Sequence, residues 1–494
     1  MKRNKFSLSH DKLLSCDMGE LIPCGLTEVL PGDTIQQNTN CLVRFSPLLA
    51  PVLHQVNCQI SHWYVPHRLV WEDFEDFITG GPDGNDASVF PTIDLSWAAG
   101  SPPTGSGVVG GLADYLGCTT GVDALTVSAL PFRGYSLIWN EWFRDQDLEA
   151  ELTIDVSSGG DTTTNTELQN SSWEKDYFTS ARPWEQKGPA ITIPLGTSAP
   201  VASDQTAGNT IGVVSTTQSD AIKNLRVTAG STPADVNMGT STISEGLYAD
   251  LTGASAITVN ALREALALQR FEEARARFGS RYVEYLRYLG VRSSDARLQR
   301  PEFLGGGRYP IQFSEVLQTA EGTDPVGELR GHGIGISRSN RYRRFIEEHG
   351  YIFTFMTIKP RTVYANGLFR HWNRRSKEDF FQKELQHIGQ QEVLNKELMG
   401  NHTSPDGVFG YQDRYDEYRR AESSIAGEFR ESTLNFWHFA RNFTSDQALN
   451  AAFVKCVPPE TPFAVPSQDV LYVRAMHSIQ ARRLLAKTGT SYIY

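Results

Sequence analysis

Apolar and polar positions alternate with a period of two in several stretches of this chain. The clearest case is residues 56–61, which read Val-Asn-Cys-Gln-Ile-Ser. The alternation predicts a strand with one face on a core and the other face wet or against another subunit. We expect its pairing run to end in residues 62–67, because Pro66 cannot donate to a central sheet ladder.

Other stretches predict further elements around this strand. Apolar side chains at Trp71, Phe74, Phe77 and Ile78 share one side of a short predicted helix, which should end at Gly80. Residues 262–278 have helical periodicity, residues 351–360 read as a buried strand, and residues 471–479 alternate again. Short runs at 211–214 and 224–227 predict small strands inside a segment rich in Ala, Gly, Ser and Thr.

Composition favours a loop-rich β protein over a helical bundle. The 494 residues include 42 glycines and 24 prolines. The formal net charge is −11, so the chain is not a polycation, and any contact with nucleic acid must come from local basic patches. The six cysteines form no CxxC pair, which favours reduced thiols in the core. No signal peptide or bilayer-spanning stretch is evident, so we expect a soluble protein made in a cytoplasm.

Candidate catalytic and ligand-binding motifs are weak. Residues 105–110 match GxGxxG, but a Ser-Pro-Pro-Thr stretch stands where a dinucleotide site needs a strand. His62 and His67 are five residues apart across a proline, which is a poor spacing for two metal ligands. Carboxylates at positions 72, 73, 75 and 76 alternate with apolar residues, so a solvated helix face explains them without glycosidase chemistry. We therefore expect no catalysis, cofactor or metal.

Several strings resemble one protein family. They are DMGELIP at 17–23, EVLPGD at 28–33, the stretch 41–81, the aromatic segment 130–146, VRSSDARLQRPEFLGG at 291–306, QEVLNKE at 391–397 and VFGYQDRYDEYR at 408–419. Together they resemble the major capsid protein of microviruses, the small tailless single-stranded DNA phages, and especially its gokushovirus-like branch.

The resemblance implies an all-β fold, an eight-stranded antiparallel jelly roll with long loop insertions that carry some helices. It implies one capsid domain formed by residues 1–200 and 257–494, with residues 201–256 projecting from the shell at the three-fold axes. The expected function is a coat protein that self-assembles into a T=1 icosahedral shell around circular single-stranded DNA. The projection would serve host attachment.

The same resemblance implies the location and partners. The protein would reside in the virion after assembly in the host bacterial cytoplasm. Expected partners are other copies of the chain, packaged DNA, an internal scaffolding protein, a DNA pilot protein, a small basic DNA-binding protein and a host receptor.

Basic residues near both termini and in one loop are candidates for genome contact. They are Lys2, Arg3, Lys5, Arg338, Arg341, Arg343, Arg344, Arg474, Arg482, Arg483 and Lys487. A frayed, solubilising terminus and an arginine loop paired with acidic neighbours are the alternatives.

Aromatic residues in loop-like strings are candidates for subunit contact, because such residues anchor interfaces. They are Trp63, Trp71, Phe74, Trp139, Trp142, Phe143, Trp184, Tyr411 and Tyr415. A carbohydrate-binding or carbohydrate-active β-sandwich protein is the alternative function.

Overall fold

A computed structural model describes residues 3–189, 191, 201–203, 211–214, 222–227, 236–239, 247–249, 259–279, 281–319 and 326–487. The five ranges between 201 and 249 are described by their backbone alone. Nineteen strands lie in these ranges: β1 Asn4–Ser7, β2 His10–Cys16, β3 Ile22–Val29, β4 Thr34–Phe45, β5 Val56–Pro66, β6 Thr92–Leu95, β7 Leu125–Ser128, β8 Val201–Ser203, β9 Ile211–Val214, β10 Ile222–Val227, β11 Val236–Gly239, β12 Leu247–Ala249, β13 Glu302–Leu317, β14 Leu329–Arg338, β15 Tyr342–Phe345, β16 Gly350–Pro360, β17 Gln390–Leu394, β18 Val408–Asp413 and β19 Leu471–Arg483. The α-helices of the same ranges are α1 Phe74–Thr79, α2 Leu112–Leu116, α3 Leu130–Ile138, α4 Val259–Phe278, α5 Tyr282–Tyr288, α6 Asn395–Leu398 and α7 Ala451–Val454.

The chain divides into two compact units, Met1–Glu185 with Ala276–Tyr494 and Gln186–Arg275. The second unit holds the antiparallel sheet β11-β10-β9, the strand pair β12-β8 and most of α4. The small strands expected at 211–214 and 224–227 are confirmed as β9 and part of β10. The predicted insertion 201–256 falls within this unit, and much of it lies outside the described residues.

Ten strands of the first unit form one large antiparallel sheet. Two of its strand positions are interrupted: β1 and β2 both pair with β19, and β14 and β15 both pair with β4. The ten strands therefore occupy eight positions. We number the eight positions by their order in the sequence. In one half of the sheet the neighbouring positions are then 1-8-3-6 (β1/β2, β19, β4, β14/β15), and in the other half they are 2-7-4-5 (β3, β16, β5, β13).

This strand order is that of a jelly roll, so the predicted fold class is confirmed. The two halves join at β13, whose first part pairs with β5 and whose last six residues, Gln312–Leu317, pair with β14. We name the half containing β19 and β4 the first sheet and the half containing β16 and β5 the second sheet. The main core lies between them and includes Val43, Ile60, Met356 and Val473.

A second core covers the outer face of the second sheet. Trp63 and Val65 of β5 and Phe353 of β16 pack there against α3. Gly134 permits the close approach, because a Cβ at that position would lie 2.8 Å from the Phe353 ring. The prediction of a wet or subunit-facing side of β5 is therefore wrong, because of its 11 residues only Gln59 is exposed. The predicted end of the strand is confirmed, since β5 ends at Pro66.

A third core supports a lobe built from the long segment between β16 and β19. Tyr364, Val393, Leu398, Phe409 and Phe453 pack together there with two aromatic residues of the 140–185 region, Tyr177 and Phe178. The hairpin β17-β18 gives this lobe its only sheet among the described residues. In the same described ranges, no helix is long and apolar enough to cross a lipid bilayer.

Candidate nucleic-acid interface

The outer face of the first sheet differs from that of the second sheet because it is exposed and basic. Along β19 the inward residues Val473, Ala475 and Ile479 are buried, and Tyr472, Arg474 and Arg482 on the opposite face are exposed. Side chains alternate between the two faces in the neighbouring strands as well. Residues that lie directly opposite each other in the strand register therefore share a face.

Six cations from five strands point outward from this sheet. Lys5 is opposite Arg482, Arg44 is opposite Tyr472, and Arg474 is opposite Leu42. Arg338 is opposite Asn40, which is in turn opposite Met476, and Arg343 is opposite Gln36. We name this group the basic sheet face: Lys5, Arg44, Arg338, Arg343, Arg474 and Arg482.

Most charges on the basic sheet face have no carboxylate partner among the described residues. Arg474 pairs with Asp11. The other five cations are exposed and form no salt bridge with a carboxylate in the described part of the chain. Unpaired, solvent-exposed arginines are suited to polyanions, because a guanidinium can donate two parallel hydrogen bonds to a phosphate.

Two exposed aromatic rings accompany these cations. Tyr472 is 45% exposed and Phe345 is 47% exposed. The Arg3 guanidinium lies 5.0 Å from the centre of the Phe345 ring, and its Nη1 donates to Thr34 Oγ1 at 3.2 Å. Rings beside a positive surface can stack nucleic-acid bases without selecting a sequence.

A groove of about 540 Å³ runs beside Tyr472. Its sheet side includes Leu13, Leu42 and Arg44, and its opposite side includes Val109 and Asp114. Lys12 lies at its base, where burial lowers the pKa of the amine and Nζ donates to the carbonyls of Pro23 and Tyr115. The groove thus combines apolar side chains with three cations, Lys12, Arg44 and Arg474, and two carboxylates, Asp114 and Asp469.

The structure separates the sequence candidates for genome contact into groups. Lys5, Arg338, Arg343, Arg474 and Arg482 belong to the basic sheet face. Arg3 and Arg341 lie at its edge, and Lys487 is an exposed residue beyond β19; Lys2 lies outside the described residues.

Besides Arg474, two candidate arginines already have carboxylate partners in the chain. Arg344 Nη2 lies 2.7 Å from Glu302 Oε2. Arg483 Nε lies 2.9 Å from the buried Asp33 carboxylate, and its Nη2 donates to the Glu28 carbonyl. The sequence reasoning missed Arg44, whose only signal was the alternation of residues 41–45, Cys-Leu-Val-Arg-Phe.

The aromatic candidates for subunit contact mostly pack within the chain. Trp63, Trp71, Trp139 and Tyr415 are at most 5% exposed. Phe74, Trp142 and Phe143 pack against the core beside α3, and Trp184 and Tyr411 are half-buried. Their burial leaves most of them little surface to offer a neighbouring copy, and their role in subunit contact stays a prediction.

The described part of the chain has no cluster of metal ligands, and most of its thiols are buried. No group of three or more His, Cys, Asp or Glu side chains there could hold a metal ion. All six cysteines are free thiols, and five of them are buried. Burial raises the pKa of Cys58 and Cys456 to about 12, which keeps both thiols protonated and unreactive.

The jelly roll is a fold that viral coat proteins share with lectins and cupins. The model of the family described as "Capsid protein (F protein)" matches residues 1–493, and the chain therefore belongs to that family.

Curated relatives agree with this assignment. The capsid protein VP1 of Bdellovibrio phage phiMH2K is 36% identical over 479 residues, which cover 92% of this chain and 88% of that protein. The capsid protein VP1 of Chlamydia phage 1 is 31% identical, with 95% and 92% covered, and that of Spiroplasma virus 4 is 32% identical, with 92% and 87% covered.

The chain is thus a major capsid protein of a microvirus, of the gokushovirus-like kind. It is a structural protein of the virion and not an enzyme, and a carbohydrate-binding or carbohydrate-active β-sandwich is not favoured.

Proposed function

We propose that this chain self-assembles into a T=1 icosahedral shell around circular single-stranded DNA, with the basic sheet face toward the genome. The observation that carries the genome contact is the convergence of Lys5, Arg338, Arg343 and Arg482 on one exposed face, although they come from distant parts of the sequence. The second sheet cannot offer an equivalent surface, because α3 and the adjoining segments cover it.

The contacts on this face would be tolerant of sequence. Guanidinium and ammonium groups bind phosphates, which carry no base information, and stacking on Tyr472 accepts any base. Such contacts suit a protein that must hold every part of one genome.

Replacing Arg338, Arg343 and Arg482 together with Gln is expected to reduce packaged DNA and leave shell assembly intact. Each lost phosphate contact on single-stranded DNA should reduce the slope of log affinity against log salt by about 0.7, or about 2 for three contacts. Binding of the unassembled chain to a single-stranded oligonucleotide at several salt concentrations measures the slope, and the nucleic-acid absorbance of purified particles measures packaging.

The matched control replaces Arg287, Arg292 and Arg297 with Gln. These three arginines are also exposed and lie on α5 and the loop after it, outside the strands of the first sheet. Wild-type packaging and an unchanged salt slope in the sheet-face variant would refute the assignment of this face to the genome.

We assign residues 201–256 to a surface projection that contacts the host. This segment has only two basic residues, Lys223 and Arg226, which suits an outward position better than contact with DNA. Deleting it should leave shells intact and abolish attachment to host cells, as measured by adsorption of particles. Failure of the deleted chain to fold would contradict an outlying projection.

Assembly in the host cytoplasm would bring the chain together with a scaffolding protein, a DNA pilot protein and a small basic DNA-binding protein. The family resemblance supports these partners and the host receptor.

A further inference from the structure

An exposed aromatic loop follows β16 in the lobe between β16 and β19. Residues 366–389, which we name the aromatic loop, contain only three short 3-10 turns as regular structure. Its exposed fractions are 40% for Phe369, 62% for Trp372, 54% for Phe380 and 52% for Phe381. Soluble monomers rarely expose so many large apolar side chains together, so this loop has the character of an interaction surface.

The aromatic loop is held in place by its own subunit. The Leu368 amide donates to the carbonyls of Lys396 and Glu397, and Arg370 Nη1 lies 2.8 Å from Glu397 Oε1. Farther along, the Gln382 amide donates to Tyr415 Oη at 3.0 Å. A loop fixed before binding loses less conformational entropy on docking, which favours a specific contact.

A second exposed surface lies around α1. Phe77 and Phe90 are partly exposed and rest on the buried Trp71 ring, with ring centres 4.8 and 5.3 Å from it. Ile78 and Val89 extend this surface and are 53% and 64% exposed. We name residues 72–90 the acidic platform.

The two surfaces carry opposite charge. The acidic platform has six carboxylates, Glu72, Asp73, Glu75, Asp76, Asp83 and Asp86, and no Lys, Arg or His. The aromatic loop has five Lys or Arg residues and three acids, a net charge of +2. The exposed platform acids form no salt bridge with described residues. Glu75 interacts electrostatically with Arg68, and the other exposed acids keep their charge available to a partner.

The jelly roll places these surfaces at opposite ends of one strand pair. β5 and β16 are antiparallel along their whole length, with Pro66 opposite Gly350 and Val56 opposite Pro360. The platform follows the end of β5 and stays at that end, where Phe74 contacts His349. The loop follows the end of β16 at Pro360. Eleven residues of strand separate the two ends by roughly 35 Å.

We propose that the aromatic loop of one copy docks on the acidic platform of the next copy. This contact is heterologous, because two different surfaces meet, and repeated heterologous contacts close into rings when their rotations allow. Trp372 and Phe380 would contact Phe77, Ile78 and Phe90, with Arg375 and Lys377 facing Glu75 and Asp76. The inference rests on the proposed assembly into a closed shell and names the surfaces that build it.

Charge reversal tests the contact. Changing Glu75 and Asp76 to Lys, or Arg375 and Lys377 to Glu, is expected to raise the concentration needed for shell assembly at least tenfold, because like charges then meet at the contact. Both reversals in one chain should restore assembly to within a few-fold of the native chain. Sedimentation and electron microscopy measure assembly, and circular dichroism checks that each variant is folded.

The control changes Glu428 and Glu431 to Lys, the same change of net charge on exposed acids of the lobe. It is expected to assemble like the native chain. Equal loss of assembly in the control would overturn the proposal, because net charge alone would then explain the effect.

Normal assembly of either reversed variant would also overturn it, as would failure of the combined variant to recover. Shell formation by the native chain in the same runs tests the assembly itself. If the native chain forms no shell, the proposed assembly and the contact both fail; if it does and the combined chain does not recover, only the contact fails.

Discussion

Arg133→Met is expected to lower the free energy of unfolding by about 3–5 kcal/mol, because it leaves the buried Asp161 carboxylate without its cation. Both side chains are fully buried, and Arg133 Nε lies 2.8 Å from Asp161 Oδ2. Arg133 Nη1 also donates to the carbonyls of Val70 at 3.0 Å and Ser157 at 3.1 Å. The guanidinium therefore joins α3 to two segments that flank the acidic platform. Equilibrium urea unfolding of the unassembled chain measures the effect.

A matched surface pair provides the control for Arg133. Lys396 pairs with Asp406, whose side chain is 80% exposed, so Lys396→Met should cost less than about 1 kcal/mol. The double variant Arg133→Met, Asp161→Asn should recover much of the loss, because no buried charge remains. A single-variant loss no larger than that of the control would contradict the structural role of Arg133.

Local patterns in the sequence predicted the elements that carry their own signal. The helix ending at Gly80 is confirmed as α1, whose C-terminal Gly80 adopts a left-handed conformation with φ 86°. The buried strand at 351–360 and the alternating C-terminal strand are confirmed as β16 and β19. In each of these segments the spacing of apolar residues along the sequence matches the face that is buried in the fold.

Long-range packing decided the features that the patterns could not predict. Asn57 and Ser61 looked like a wet face of β5, but they are buried beside the outer layer of the second sheet. Trp63 and Trp139 stand in loop-like strings, and only the fold shows that they pack inward. The jelly-roll topology came from the family resemblance, because strand alternation does not specify which strands pair.

The basic sheet face also depends on long-range pairing that the sequence pattern could not predict. Lys5 and Arg482 are directly opposite in the sheet although almost the whole chain separates them in sequence. Residues 8–9 interrupt the strand position shared by β1 and β2, and residues 339–341 interrupt the one shared by β14 and β15. A period-two pattern cannot be followed across such breaks, so the sequence indicated basic segments and could not place them on one face.

A buried polar network links the two sheets inside the jelly roll and gives the second large prediction. His62 Nδ1 lies 2.9 Å from Thr354 Oγ1, and His62 Nε2 lies 2.8 Å from Ser339 Oγ. His477 on the first sheet contacts Thr39 Oγ1 at 2.9 Å and the Cys24 carbonyl at 3.0 Å. Both rings are at most 2% exposed, so a proton added to either would create a charge in the core.

Acid is therefore expected to destabilise the subunit through these histidines. Burial lowers the pKa of His62 to about 3 and that of His477 to about 4. Below pH 6.5 these histidines bind protons in the unfolded chain but stay neutral in the folded chain. The free energy of unfolding therefore falls as the pH falls toward these pKa values. Each histidine should contribute about 1.4 kcal/mol per pH unit once the pH is well below 6.5, which amounts to about 3 kcal/mol for the pair between pH 6.5 and 5.

Variants separate this effect from other titrating groups. Burial raises the pKa of Glu20 to about 7. Such a carboxyl group changes stability with pH in the opposite direction, because the folded chain binds its proton more tightly than the unfolded chain does.

His62→Gln keeps polar atoms that can bond to Ser339 and Thr354, but the glutamine side chain cannot titrate. Urea unfolding at several pH values should therefore give a slope of stability against pH that is smaller by about 1.4 kcal/mol per unit between pH 6.5 and 4. Equal slopes for the His62 variant and the native chain would show that His62 does not stay neutral in the fold.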